Sequence, residues 1–327
     1  MKTFSNTPAA AVAELQRYSL HGQTMGTQYS AVFFTAMKVD TAVINAQLFA
    51  AVDTVDRQMS NWKPDSALNR LNDAPENAWW SIPQELFEVL ETALLVSKQS
   101  QGAFDIGVGD LVHAWGFGPS KGLQNEGQIA ALKAQAQQAA TQVLEMDPGR
   151  CRVRKLAPIT LDLAGIAKGY GVDRLAHCLD SLGITRYLVG IDGEMRARGT
   201  KPEAQAWAIA IEMPRRHVRE VMAVMELSDA AIATSGDYRN WVEHQGKSYS
   251  HTMNGALGEP VSNRLAAVSV LAASCMLADA WATALTVLGE TAGIALAQAR
   301  GMEALFVLHD GDEFRQIFVT NQDKTLS

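Results

Sequence analysis

Asp279 and Thr283 sit four residues apart in the stretch CMLADAWATALTVLG. On a helix that spacing places both on one face. A carboxylate and a hydroxyl are hard oxygen donors of the kind that Mg²⁺ or Ca²⁺ takes. Their immediate neighbours are apolar, and an aspartate in an apolar helix is costly unless it is paired, hydrogen-bonded or metal-bound. A second constellation is LDLAGIAKGYGVDRL, residues 161–175, which reads as a strand turning into a helix through a glycine-rich bend. Asp162 alternates with Leu161 and Leu163, so on a strand it faces the other way. Gly165 permits close backbone approach, and the start of the following helix offers N–H groups to an anion. Lys168 lies in the first turns of that helix. The same residues also suit an ordinary strand-to-helix turn with solvated charges, and Asp173 reads as a solvated helix residue. Third, His251 ends a short polar strand ahead of a turn at Asn254-Gly255. It is placed to act as a base or to touch a phosphate, although a histidine there also serves structure alone. His113, His177, His217 and His309 have no comparable surroundings.

Several standard templates are absent. The chain has no GxxxxGK[ST] loop, no HExxH and no GxSxG. GIAKGYG and GVGDLVHAWGFG depart from the GxGxxG spacing, so a Rossmann dinucleotide site is unsupported.

The elements that must position these residues follow from periodicity and breakers. Residues 22–34 read as a turn and then a strand. Asp40 is a cap for a helix in which Val43, Ile44, Leu48, Val52, Val55 and Met59 recur at helical spacing. A second helix is expected with Ser81 as cap, Pro83 in its first turn and Gly102 as its stop. EGQIAALKAQAQQAATQVL has only a thin apolar stripe and reads as a peripheral helix. From Ile159 the rhythm changes to strands (ITLDL, RYLVGI, EMRARG, AWAIAIE, VMEL, AIATS, AAVSVLA, ALFVL, RQIFV) interleaved with helices at residues 165–183, 276–289 and 291–301. Strands and helices mixed in this way imply an α/β or α+β chain with a large mixed sheet. No repeat or linker tract divides it.

Bulk composition narrows the function classes. With 327 residues, 47% hydrophobic and 19% charged, the chain can bury a large core. A net charge of −7, from 28 basic and 35 acidic residues, argues against nucleic acid as the main partner. Cys151, Cys178 and Cys275 show neither disulfide nor zinc spacing and read as small buried residues. No run approaches the roughly 20 apolar residues of a membrane helix, so no membrane span is expected. The N-terminus shows no secretory h-region. The literal location is therefore cytoplasmic, or periplasmic if an export signal has been removed.

Read together and in order, these three constellations resemble the ApbE family, the FAD:protein FMN transferases. TMGTQYS, MSNWKPDSALNRLN, GAFDIGVGDLVHAWGFG, RYLVGIDGEMRARG and IATSGDYR add to the match, which runs from about Thr24 to about Gly289. The resemblance implies one α/β (α+β) unit of T-fold-like kind over residues 21–327, after an extension of residues 1–20. That unit would have a mixed β-sheet core, flanking helices and a ligand cleft between lobes. It implies FAD as substrate, Mg²⁺, and an acceptor flavoprotein whose threonine or serine receives FMN while AMP leaves. Met25, Trp62, Ala103, Phe104, Asp105, Asp162, Lys168 and Met253 would contact the flavin nucleotide. The Gly165 carbonyl, Asp279 and Thr283 would hold the metal, and His251 matches the histidine of the family's SH motif. Two departures stand out. HTMNGALGEP replaces the usual HDPxTG, with Asn254-Gly255 for Asp-Pro and Leu257 for the threonine, which should loosen the turn beside His251. GIDGE replaces GGE. Rival readings of the same site are an FAD pyrophosphatase releasing FMN and AMP, and a flavin-binding protein without activity.

Overall fold

The computed structural model describes residues 14–119, 124–134 and 138–320. Residues 1–13 of the expected extension and the middle of the expected Ala/Gln helix lie outside the described residues. The helix is described as Glu126–Ala134 and a short turn at Ala140–Val143.

The core is an eight-stranded sheet: β1 (Gln16–Thr24), β2 (Thr27–Thr35), β3 (Tyr187–Ile191), β4 (Glu194–Arg198), β5 (Ala231–Gly236), β6 (Leu265–Ala272), β7 (Glu303–Asp310) and β8 (Glu313–Val319). Spatial order equals chain order. Every neighbouring pair is antiparallel, which corrects the expected mixed sheet. Residues 16–20, expected ahead of the folded unit, belong to β1 and pair with β2.

Three of the steps are tight hairpins, and at two others helices return the chain to the strand end it left. Phe33 of β2 pairs with Tyr187 of β3. The excursion between them therefore ends where it began, after α1 (Thr41–Met59), α2 (Gln84–Gln99) and α3 (Ala167–Ser181). Leu271 of β6 likewise pairs with Glu303 of β7. The intervening α4 (Cys275–Ala299) breaks at Gly289, where φ is 77°. The two helices expected there are both present, joined at this kink. Glycine is required at the break because other residues disfavour that φ.

Asp40 caps α1, accepting from the N–H groups of Ala42 and Val43. Ile44, Leu48, Val52, Val55 and Met59 are buried as their spacing predicts, whereas Val43 is exposed. Ser81 does not cap α2. It lies in a short strand, and Pro83 takes the cap position. Tyr29, Ala31, Phe33 and Val189 pack one sheet face against Ile44, Leu48 and Val52 of α1 and Val172, Leu175 and Leu179 of α3. The opposite face, with Ile232, Ala267, Leu305 and Val307, is covered by a two-stranded ribbon, Trp207–Glu212 paired with Val221–Leu227. By length and composition α4 is apolar enough to cross a membrane. In this fold it packs on β5 and β6 with Ala278, Ala280, Ala282, Ala284 and Leu285 buried. Among the cysteines, Cys275 is buried, whereas Cys151 and Cys178 are only half-buried.

The tightest helix contact is between α3 and α4. A Cβ added at Gly169 would lie 2.3 Å from the Cys275 carbonyl oxygen and 2.8 Å from Cβ of Asp279. Asp173 completes the junction. Its two carboxylate oxygens accept from the N–H groups of Cys275 and Met276, each at 2.9 Å, and it pairs with Arg196 of β4. Asp173 is therefore a cap for α4 and not the solvated residue expected. Gly169→Ala should force the helices apart and cost about 1–3 kcal/mol, read as a lower urea midpoint at unchanged m-value. An unchanged midpoint would mean that the junction yields freely.

Candidate active site

A cleft of about 1240 Å³ opens at one end of the sheet. Met25, Trp62, Ala103, Phe104, Asp105, Asp162, Gly165, Lys168, His251, Met253, Asp279 and Thr283 all line it. The site residues expected from separate parts of the chain thus share one cavity. Its volume exceeds the roughly 300–1,000 Å³ of most small-ligand pockets.

The α3–α4 junction builds the deepest corner. Asp279 is 6% exposed, and its Oδ2 accepts from the Gly169 N–H at 3.0 Å. Thr283 lies one turn further along α4, and its Oγ1 would be 3.0 Å from a Cβ at Gly165. The expected Gly165–Asp279–Thr283 set is therefore contiguous. Burial, and then the charge of Glu194, push the Asp279 carboxyl up to about 7, against the pull of Lys168 and the Gly169 N–H.

Glu194, at the start of β4, is a site residue that sequence reasoning missed. It is 2% exposed. One oxygen accepts from Lys168 Nζ at 2.7 Å, while Oε2 is buried with no hydrogen-bond partner among the described residues. Desolvation works against the Lys168 ammonium, but Glu194, Asp279 and Asp192 outweigh it and hold its pKa above the ordinary lysine range. Asp192 sits in the β3–β4 turn at φ 54°, bonded to Arg239 at 2.6 Å, and Arg239 also bonds Glu212 at 2.7 Å. The only sequence signal for this network was the GIDGE departure. Among the described residues of the cleft lining, seven carboxylates face three cationic side chains. An anionic ligand would be repelled by such a wall unless a cation joined it.

Among the described residues no group of three His, Cys, Asp or Glu is poised for a metal. The contiguous set has one carboxylate, one hydroxyl and one backbone carbonyl. That sparse oxygen set suits Mg²⁺, which keeps waters and substrate oxygens in its shell. The buried, partnerless Glu194 oxygen and the raised Asp279 pKa both mark uncompensated negative charge at the same corner. The residues present therefore fit a divalent cation.

Among the described residues, ITLDL joins no sheet, contrary to expectation. Its backbone is satisfied by loops instead. Asn72 bonds both the N–H and the carbonyl of Leu161, and the Asp162 N–H donates to Ile106. The Asp162 carboxylate accepts from the Ala164 N–H at 2.7 Å and from Asn61 at 2.6 Å, so it pins the glycine bend. Burial pushes its pKa up, and these two bonds offset part of that. Asp105 behaves in the same way, accepting from Gly107 and Ala140 N–H groups while burial raises its pKa.

The opposite wall carries His251. Its Nδ1 lies 3.3 Å from the Asn240 carbonyl oxygen, an acceptor only, so the ring proton belongs on Nδ1 and Nε2 keeps its lone pair. Desolvation, then the positive charge of Lys168, hold its pKa down to about 4. The ring is half-exposed, but the solvent it meets lies within the concave cleft, which is why desolvation dominates. Met253, beside it, is buried. The turn at Asn254-Gly255 is held by two bonds: Asn254 Oδ1 accepts from the Leu257 N–H at 3.1 Å, and its carbonyl accepts from the Gly258 N–H. Trp62, 48% exposed, stands in the cleft as an aromatic surface. Met25 occupies the β1–β2 turn at φ 47°, its methyl against Gly171.

The ApbE family profile matches residues 25–306. An FAD:protein FMN transferase of Vibrio cholerae is 35% identical over 302 residues, covering 92% of this chain and 90% of the relative. The solved flavin transferase ApbE from Vibrio cholerae superposes with a TM-score of 0.84 at 33% identity, covering 95% of this chain and 99% of that one. The apo flavinyl transferase ApbE of Pseudomonas stutzeri gives 0.83 at 34% identity, with 95% and 96% covered.

A carboxyl with a raised folded-state pKa carries a stability penalty that is absent below its unfolded value, about 3.9. The penalty grows as pH rises towards about 7 for Asp279 and is constant above that. In metal-free buffer Asp279→Asn should therefore be more stable than the parent at pH 8, by on the order of a few kcal/mol. The gain should shrink towards pH 4. Urea titrations at both pH values measure it, and a gain independent of pH would refute the buried charge.

Proposed function

Because the chain belongs to the ApbE family, we propose that it moves the FMN half of FAD onto a serine or threonine hydroxyl of an acceptor flavoprotein. Mg²⁺ assists and AMP leaves. The observation that carries this reading is the junction of Gly165, Asp279 and Thr283 in a cleft whose wall is too acidic to hold a diphosphate unaided.

The reaction balances as one substitution at phosphorus. The acceptor oxygen bonds to the FMN-side phosphorus, the bond from that phosphorus to the bridging oxygen breaks, and AMP departs with that oxygen. The acceptor proton passes to Nε2 of His251. Such transfers rely on positioning and on neutralising charge more than on covalent help from the enzyme. Bound at Asp279, Thr283 and the Gly165 carbonyl, Mg²⁺ would supply charge neutralisation at the diphosphate. Lys168, kept protonated by Glu194, adds a fixed positive charge. His251 is neutral at pH 7, so Nε2 has a free lone pair, while the burial and Lys168 charge that keep it neutral also lower its basicity in the ligand-free site. Asp162 and Asp105 hold the loops that shape the nucleotide side, and Trp62 offers a ring face for a flavin or adenine.

Incubation with FAD, Mg²⁺ and a candidate acceptor, followed by in-gel flavin fluorescence and AMP measurement, tests the reading. Asp279→Ala should abolish Mg²⁺-dependent labelling while the protein stays folded. Full activity in that variant would remove Asp279 from the metal site. His251→Ala should keep FAD binding and lose about 10²–10⁴ in rate. Unchanged turnover would exclude it as the base. AMP release without labelling of any acceptor would point to FAD hydrolysis.

A further inference from the structure

Ala208–Glu212 form one strand of the ribbon that covers the sheet, and all of these consecutive residues line the cleft. Side chains on a strand alternate between faces. A strand whose successive residues all border one cavity is presenting its edge to it. Its partner Val221–Leu227 takes the other edge. Among the described residues, no strand or loop backbone pairs with the edge at the cleft. The exposed side chains there are the small Ala208 and Ala210, while Trp207, Ile209 and Ile211 are anchored in the core. Glu212, at the strand's end, is tied through Arg239 to Asp192.

Resting on the transfer reading above, we propose that this edge docks the acceptor: an extended segment of the acceptor protein adds as a third strand along Ala208–Glu212. A serine or threonine hydroxyl stands only one carbon beyond its own Cα. To reach a phosphorus inside the cleft, the acceptor backbone must itself enter. Buried backbone N–H and C=O groups need partners, and an unpaired strand edge supplies them at the spacing of a ladder. The cleft's volume leaves room for both a dinucleotide and such a segment. A second unpaired stretch at the cleft, Thr234–Gly236 beyond the β4 pairing, is shorter. The Tyr238 ring crowds it at Gly236, 2.7 Å from where a Cβ would stand.

The probe is a displayed library of 12-residue peptides with a central threonine, selected for covalent flavin fluorescence after incubation with the protein, FAD and Mg²⁺. The best substrate peptide is then resynthesised with its backbone amides N-methylated one at a time. Addition to a strand edge predicts a two-residue period. Methylation at alternate positions raises KM about tenfold or more with kcat little changed, and methylation between them is tolerated. Equal tolerance at all positions, or uniform loss, overturns the edge-docking proposal while leaving transfer intact. A library from which nothing is labelled, while FAD binds, overturns the transfer reading and the docking with it.

Discussion

The approach of α3 to α4 at Gly169 is the contact on which the site depends. With no Cβ at Gly169, the α4 backbone comes close enough for Asp279 to accept from the Gly169 N–H. That one bond sets the depth of Asp279 and, a turn later, brings Thr283 beside Gly165. Asp173, four residues after Gly169, locks the register by capping α4 with both carboxylate oxygens. Gly171 uses the same freedom in another direction, admitting Ile191 and Met25 against α3. The glycines of GIAKGYG are therefore packing devices, and the anion-binding reading of that stretch depends on them indirectly.

Electrostatics at this corner leave negative charge uncompensated. Glu194 is paired with Lys168, whose charge also acts on the buried Asp279, and among the described residues a Glu194 oxygen has no hydrogen-bond partner. Burial of unpaired charge is among the costliest features a fold can carry. A divalent cation would offset the carboxylates and the diphosphate together. On the proposed function the protein gives up stability where it gains binding, a pattern in which perturbed pKa values mark function.

The chemistry was more legible in the sequence than the topology. Asp279 and Thr283 announced themselves because an i, i+4 oxygen pair in an apolar helix has few other uses, and the Asp40 cap and the α1 core stripe were equally local signals. The sheet's direction was not local. Alternating strands and helices suggest parallel crossovers, but three steps are tight hairpins, and at the two helical steps the return of α1–α3 and the break at Gly289 bring the chain back to the strand end it left. ITLDL looked like a strand because its alternation is genuine, but Asn72 takes the backbone bonds a ladder would have made. Glu194 was missed and Asp173 misread as solvated for a related reason: each takes its role from a partner far along the chain.

The antiparallel order also explains where the cleft is. With β1 to β4 running up and down in chain order, the turn at Met25-Gly26 and the turn at Asp192-Gly193 fall at the same end of the sheet, linked by the Asp192 N–H to the Gln28 carbonyl. β5 runs past β4 towards that end and leads into the segment that carries Asn240, His251 and Met253. Both Met25 and Asp192 hold a left-handed backbone with a side chain attached, a conformation that costs energy and persists where the surroundings enforce it. A glycine would relieve the strain at either position. It would also remove the thioether that lines the cleft in one case and the carboxylate that holds Arg239 in the other, so the strained turns are best understood as positions where site geometry outweighs local backbone preference.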